Sequence, residues 1–145
     1  MDAGRLAYEI ADRIGHAHVL LSDAVDEVIG PLGLSRSVGI ALAVLDAYPE
    51  GLSQAAWTRL QRVTRQRAHA LANRLDDDGL ILIEPQGREV RVTLSAAGRR
   101  LVRGVEPRTR SRLATATARL STRDKRDLHS LLGKLIAGLE RDADS

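Results

Sequence analysis

The sequence has 145 residues, enough for one compact domain, or for a small module with a helical platform, to bury a core without disulfides or metals. It contains no cysteine, which excludes disulfides, thiolate metal sites and thiol redox chemistry. It has no run of about 18 apolar residues and no signal-like N-terminus, so we expect a cytoplasmic protein without a membrane segment. Only 2% of the residues are aromatic, too few for the stacking platforms of single-strand nucleic-acid binders.

The net charge of +3 is distributed unevenly along the chain. Residues 1–51 carry three arginines against eight acidic residues, whereas residues 52–104 carry ten arginines against five acidic residues. Residues 105–145 carry nine basic and six acidic residues. The middle segment is therefore the electropositive one, as a module that faces phosphates requires.

Apolar stripes at both ends of the chain predict long helices. The first stripe comprises Leu6, Ile10, Ile14, Ala17, Leu21, Ala24 and Val28 and ends before Gly30-Pro31. A second helix begins at either Ser35 or Ser37 and runs to about Ala47. The stripe of the last helix comprises Leu128, Leu131, Leu132, Leu135, Ile136 and Leu139. Stripes of this kind favour packing on partner helices, most simply in a two-fold dimer.

Two short helices meet at a tight turn in the middle of the chain. Ser53 is expected to cap the first of them, with Trp57 and Leu60 as its core contacts. Thr64 is expected to cap the second, whose apolar spacing predicts one buried face. That face comprises Ala68, Leu71, Ala72 and Leu75.

The remaining positions of the second short helix suit DNA recognition. They hold Arg65, Gln66, Arg67, His69, Ala70, Asn73 and Arg74. No acidic residue lies between Leu60 and Leu75, although a solvated helix face usually mixes charges. Arginine, glutamine and asparagine each form bidentate hydrogen bonds with base edges in the major groove. An ordinary solvated helix face is the alternative interpretation.

Two strands, at residues 80–84 and 89–94, are predicted around a tip formed by residues 85–88. Arg88 at this tip is suited to contact the minor groove or a phosphate. Ser95 is expected to cap a fifth helix that Gly104 and Pro107 kink or interrupt. Ser121 begins a capping box for the last helix.

This order of helices, helix-turn-helix and wing resembles the MarR family of bacterial transcriptional regulators over nearly the whole chain. The segment LSQAAWTRLQRVTRQRAHALANRLDDDGLI is similar to the family's LSQ…LA…L…VSRQTVTRLVDRLE..GLV, and VRVTLSAAGRRLV is similar to its V.LT..G..L. The resemblance implies a mainly α fold with a small β-hairpin. In that fold residues 35–104 form a winged helix-turn-helix that binds DNA, and residues 1–34 with 105–145 form a helical dimerisation region.

The same resemblance implies a set of DNA-binding residues. On the recognition helix and its cap these are Thr64, Arg65, Gln66, Arg67, His69, Asn73 and Arg74, with Asn73 where the family usually has Asp. Arg88 falls on the wing and Ser53 opens the supporting helix. The chain departs from the family in three features. The usual Leu-Gly turn is Gln61-Arg62, the wing is shorter and lacks an Asp-Arg-Arg signature, and Ala70 replaces an often polar residue.

The sequence therefore predicts a sequence-specific regulator of double-stranded DNA, a ligand-responsive repressor that acts as a homodimer on a pseudo-palindromic site. No set of residues identifies the small-molecule effector or its pocket. The alternative is a winged-helix protein-interaction module that has lost specific DNA binding, as the short wing and Ala70 suggest. No enzyme active site, metal site or cofactor is expected, because four scattered histidines and no Gly-rich phosphate loop leave nothing to build one.

Overall fold

The computed structural model describes residues 2–145, which form six α-helices and three short β-strands. The helices are α1 (Ala3–Ile29), α2 (Arg36–Asp46), α3 (Gln54–Gln61), α4 (Arg65–Asp77), α5 (Ala96–Ala116) and α6 (Thr122–Ala143), with a 3₁₀ turn at Gly30–Leu32. The strands are β1 (Leu52–Ser53), β2 (Ile81–Gln86) and β3 (Glu89–Leu94). The chain divides into two units, one ending at Leu113 and one running from Ala114 to Ser145.

Among the described residues, no single helix is both long enough and apolar enough to span a membrane. The segments Ala3–Leu32 and Arg36–Asp46 meet both criteria only when they are taken together, and they are bent by 93° relative to each other. The second of these segments is α2, which contributes four buried residues to the core of the first unit.

The sheet is antiparallel, with strand order β1-β3-β2. Gln86 pairs with Glu89, so the hairpin tip is the two-residue turn Gly87-Arg88 and not the four predicted residues. Pro85 lies inside β2, where it is tolerated because β2 is an edge strand. The sequence did not predict β1, because two residues are too short to show a strand pattern.

Trp57 lies in the core of the first unit and is fully buried. Its indole N–H donates to the carbonyl oxygen of Ala41 at 3.0 Å, so the one polar atom of the ring is paired. The surrounding cluster comes from α2, α3, α4, β2 and β3: Val38, Ala41, Leu42, Leu45, Trp57, Leu71, Ala72, Leu75, Ile81, Val92 and Leu94. The predicted core role of Trp57 and the predicted buried face of α4 are both confirmed.

Side-chain caps begin five helices where the sequence predicts them, including α5, which Ser95 caps. Ser35, and not Ser37, caps α2. Ser53 and Thr64 cap α3 and α4, and Ser121 begins α6 with the predicted capping box. Each cap pairs a backbone N–H that the first turn of a helix would otherwise leave free, so the caps fix where α3 and α4 begin.

Two predictions about the helices are wrong in whole or in part. Pro107 does not interrupt α5, since a proline removes only one intrahelical N–H and the neighbouring turns keep theirs, whereas the kink expected at Gly104 and Pro107 stays a prediction. Leu60 is not a core contact of α3: it is 37% exposed, whereas Gln61 is 3% exposed. The buried residues of α3 are therefore Trp57 and Gln61, which lie four positions apart on one face.

The turn between α3 and α4 keeps a left-handed residue although it contains no glycine. Arg62 adopts φ 58° and ψ 36°, a conformation that costs a residue with a Cβ atom about 1–2 kcal/mol. Its N–H donates to the carbonyl oxygen of Arg59 at 3.3 Å. The turn therefore has left-handed geometry at Arg62 even though the glycine that is usual in the family is absent.

Gly98 allows α5 to begin directly against the base of the hairpin. A Cβ atom at this position would lie 2.1 Å from the carbonyl oxygen of Leu80. The hydroxyl of Ser95 accepts the Gly98 N–H at 3.0 Å and donates to the carbonyl of Gly79 at 2.6 Å. These contacts anchor the hairpin to α5.

The side-chain amide of Gln61 is buried, and neither of its polar atoms has a hydrogen-bond partner among residues 2–145. We expect Gln61→Leu to raise the free energy of unfolding by about 1–3 kcal/mol, because an unpaired buried amide costs about that much. Urea unfolding followed by circular dichroism measures the change. The same substitution at the exposed Gln66 is the control and should stay within about 0.5 kcal/mol. A loss of stability in Gln61→Leu would contradict the prediction.

Candidate DNA-binding interface

The predicted site residues of α4 lie together on the exposed side of that helix. They are Arg65, Gln66, Arg67, His69, Asn73 and Arg74, and all are exposed. The Thr64 hydroxyl accepts the backbone N–H of Arg67 at 3.2 Å, which fixes the first turn. The side chains on this face offer guanidinium and amide groups of the kind that pair with base edges.

A polar groove lies between α3 and α4. Arg65 and His69 line it from α4, and Gln54, Thr58 and Arg59 line it from α3. The three α3 residues were not among the predicted site residues. The acid-free stretch of the sequence could have indicated them, because it includes all of α3 as well as the first three turns of α4.

Two of the predicted arginines of α4, Arg67 and Arg74, have different surroundings. Arg67 Nη2 donates to the hydroxyl oxygen of Ser37 at 2.9 Å, which joins α4 to the first turn of α2. Arg74 lies toward the C-terminal end, with its Nε 3.9 Å from a carboxylate oxygen of Asp78. Since the N-terminal end of a recognition helix enters the groove, Arg67 is the better placed of the two to reach DNA.

Arg88 occupies the hairpin tip and is exposed. The other arginine of the hairpin, Arg91, instead holds the fold together, because its Nη1 donates to the carbonyl oxygens of Glu50 and Gly51 at 3.0 and 3.1 Å. Ser53 is half-buried, and its hydroxyl accepts a backbone N–H of α3 at 3.2 Å. The contribution of Ser53 to the interface is therefore to fix the start of α3.

The acidic residues of α4 lie at its far end. Asp76, Asp77 and Asp78 are exposed and follow the last buried residue of the helix. Phosphates attract the positive first turns and repel the negative last turn, so this distribution directs the N-terminal end of α4 toward a polyanion.

A cavity of about 220 Å³ lies between α1, α2 and α5 within the first unit. Ten of its thirteen lining residues are apolar or glycine, and the polar ones are Arg36, Glu106 and Thr109. Sequence reasoning identified no ligand pocket, because three helices that are far apart in the sequence build the walls.

Two ion pairs tie α2 and α5 to α1 near this cavity. Arg36 donates from Nε and Nη2 to both carboxylate oxygens of Asp26 at 3.1 and 2.8 Å, and this hydrogen bonding raises the pKa of the Arg36 guanidinium. Arg112 donates to Glu27 at 2.8 Å, and this hydrogen bond lowers the pKa of the Glu27 carboxyl. Residues 2–145 contain no cluster of three or more His, Cys, Asp or Glu side chains able to hold a metal ion.

No model of a known protein family matches the chain. An HTH-type transcriptional repressor of Mycobacterium tuberculosis is 32% identical to it over 119 residues, which span 80% of this chain and 85% of the repressor. The similarity therefore extends over more than two thirds of both chains.

Solved structures share the fold. A MarR family protein of Mycobacterium tuberculosis in complex with DNA is 30% identical, covers 93% of this chain and 98% of its own, and has a TM-score of 0.66. The complex of that protein with p-aminosalicylic acid gives 29% identity, the same coverage and a TM-score of 0.67. A probable transcriptional regulator from Pseudomonas aeruginosa is 27% identical, covers 90% of this chain and 98% of its own, and has a TM-score of 0.75.

These similarities confirm the predicted fold class, mainly α with a small hairpin wing, and the prediction of a regulator that is not an enzyme. They also support DNA binding as the general function. The chain belongs to the MarR family of winged helix-turn-helix transcriptional regulators.

Proposed function

We propose that the protein is a sequence-specific repressor that binds double-stranded DNA as a homodimer and releases it when a small molecule binds. Residues 35–104 read the DNA, and residues 1–34 with 105–145 hold the two copies together. The protein acts in the cytoplasm and needs no cofactor. The observation that carries the proposal is the exposed, acid-free first half of α4, with Arg65, Gln66 and Arg67 at its start.

In the proposed complex α4 enters the major groove with its N-terminal end first. Arg65, Gln66 and Arg67 pair with base edges, and Arg59 and Arg88 neutralise phosphates on either side of the helix. Two copies related by a two-fold axis then read half-sites about one helical turn, roughly 34–36 Å, apart on a pseudo-palindrome.

Exposed apolar side chains support the homodimer. On α1 they include Leu6, Ile10, Ile14 and Leu21, and on α6 they are Leu128, Leu131, Leu135, Ile136 and Leu139. An exposed apolar stripe along a helix, as α1 and α6 each carry, is unusual on a monomer and marks an interface. A second copy of the chain covers it in the proposed dimer, because symmetric homodimers are the commonest assemblies of soluble proteins.

The ligand response is supported by a short path from the cavity to α4. Arg36 lines the cavity, and the next residue, Ser37, accepts the hydrogen bond from Arg67. A ligand that displaces the first turn of α2 therefore also displaces a side chain proposed to read bases. The Mycobacterium tuberculosis relative has been solved with p-aminosalicylic acid and with salicylic acid. Coupling requires only that the ligand prefers the DNA-free conformation.

Selection of bound fragments from a genomic library should yield a pseudo-palindromic site. On that site Arg65→Ala and Arg67→Ala should each weaken binding by about 1–3 kcal/mol and relax the preference for one base pair. Arg59→Ala should weaken binding to all sequences and reduce the slope of log K against log salt by about 0.9. Fluorescence anisotropy over a salt series measures both effects.

Arg100→Ala, which removes an exposed arginine of α5, is the control for these variants and should change neither quantity. Unchanged affinity and unchanged salt slope in both Arg65→Ala and Arg67→Ala would exclude α4 as the reading helix.

Leu131→Asp should convert the dimer to a monomer, because it places a charge within the apolar stripe of α6. Analytical ultracentrifugation gives the mass, and DNA affinity should fall at least about tenfold since both half-sites are no longer bound together. Ser130→Asp introduces the same side chain at the neighbouring exposed position on the other side of α6 and should leave the mass unchanged. A dimeric Leu131→Asp variant would argue against this interface.

Ser37→Ala should weaken binding to the selected site by about 0.5–1.5 kcal/mol, because Arg67 loses the hydrogen bond that orients its guanidinium. Its salt slope should not change, since no phosphate contact is removed. Ser37→Thr keeps a hydroxyl and should retain most of the affinity. Equal weakening in the alanine and threonine variants would mean that Ser37 does not act through Arg67.

A further inference from the structure

The cavity between α1, α2 and α5 has the size of a small aromatic ligand. Its volume is about 220 Å³, and an apolar protein cavity of about 150 Å³ is enough to bind benzene. The space therefore suits one ring with one or two short substituents. The apolar walls, made by residues such as Ile29, Leu42 and Val102, favour a ligand whose surface is mostly carbon.

Each of the three polar side chains in the wall already has a partner inside the protein. Arg36 makes a two-pronged ion pair with Asp26. Glu106 is paired with Arg110. The Thr109 hydroxyl donates to the carbonyl oxygen of Val105 at 3.2 Å. The cavity thus offers a ligand no unpaired charge.

These pairings make the cavity unfavourable for an anion. A carboxylate that enters an apolar site without a partner loses its hydration and gains nothing in return. If it approached Arg36 it would share that cation with Asp26, and the two carboxylates would repel each other. Glu106, the other charged side chain of the wall, is acidic and offers an anion no hydrogen-bond donor.

We propose that this cavity binds an uncharged, mainly apolar ligand of about one substituted aromatic ring and excludes free carboxylates. The proposal rests on the ligand response described above, and it names the chemical class of the effector. It separates this protein from the Mycobacterium tuberculosis relative, which has been solved with two aromatic acids.

Methyl salicylate and salicylate form a matched pair of probes, because both have the same hydroxyl-substituted ring. Methyl salicylate carries a neutral ester where salicylate carries a carboxylate. Isothermal titration of the full-length protein should show methyl salicylate binding at least about ten times more tightly than salicylate. Asp26→Asn removes the partner of Arg36 and should improve salicylate binding at least about tenfold, with little change for the ester.

Gly39→Leu provides the blocking control. Its Cβ atom would lie 3.5 Å from Ile29 Cδ1, an ordinary contact, and the rest of the side chain fills the cavity. This variant should fold, because leucine is a good helix former, and should lose methyl salicylate binding. Retained binding in Gly39→Leu would place the ligand elsewhere and overturn the proposal.

The remaining outcomes separate this proposal from the proposed function. Salicylate binding as tightly as the ester to the unmodified protein, or no gain in Asp26→Asn, would overturn the exclusion of anions. No binding of either probe would overturn the cavity as a site. If the ester binds in the cavity but leaves the affinity for the selected DNA unchanged, the ligand class stands and the ligand response fails.

Discussion

The burial of Trp57 positions the exposed face of α4 in the first unit. Its ring extends from α3 into a cluster with residues of α2, α4 and the sheet, and its N–H is paired with the Ala41 carbonyl. Burying a ring of this size is worth roughly 4–6 kcal/mol, a large part of the stability of a small domain. The burial of this ring sets the orientation of α3. Because α3 connects to α4 through one short turn, it also sets the direction in which the exposed face of α4 points.

The sequence predicted those features that depend on local rules. Caps at Ser53 and Thr64, the buried face of α4 and the core position of Trp57 each follow from the residue type and its spacing. β1 was not predicted because its two residues form a strand only by pairing with β3. The burial of Gln61 instead of Leu60 was not predicted because it depends on how α3 is rotated against the core. The Ser37–Arg67 hydrogen bond and the cavity bring together residues that are distant in sequence, so no local sequence pattern predicts them.

The arginines around the candidate interface fall into two groups that the sequence does not distinguish. Arg36, Arg91 and Arg112 are engaged with carboxylates or backbone carbonyls and hold elements of the first unit together. Those on the α3 and α4 surface, with Arg88 at the tip, are exposed to solvent. A count of charges therefore overstates the number of arginines free to meet phosphates in the proposed complex.

In the proposed complex, the two-residue tip of the hairpin would limit how much DNA each copy covers. Since the strands pair up to Gln86 and Glu89, Arg88 is the outermost arginine of the hairpin. The bases flanking each half-site would then be left uncontacted. A short footprint of this kind would let two dimers occupy adjoining operators with little spacer DNA, and it would leave the neighbouring promoter sequence open to the transcription machinery.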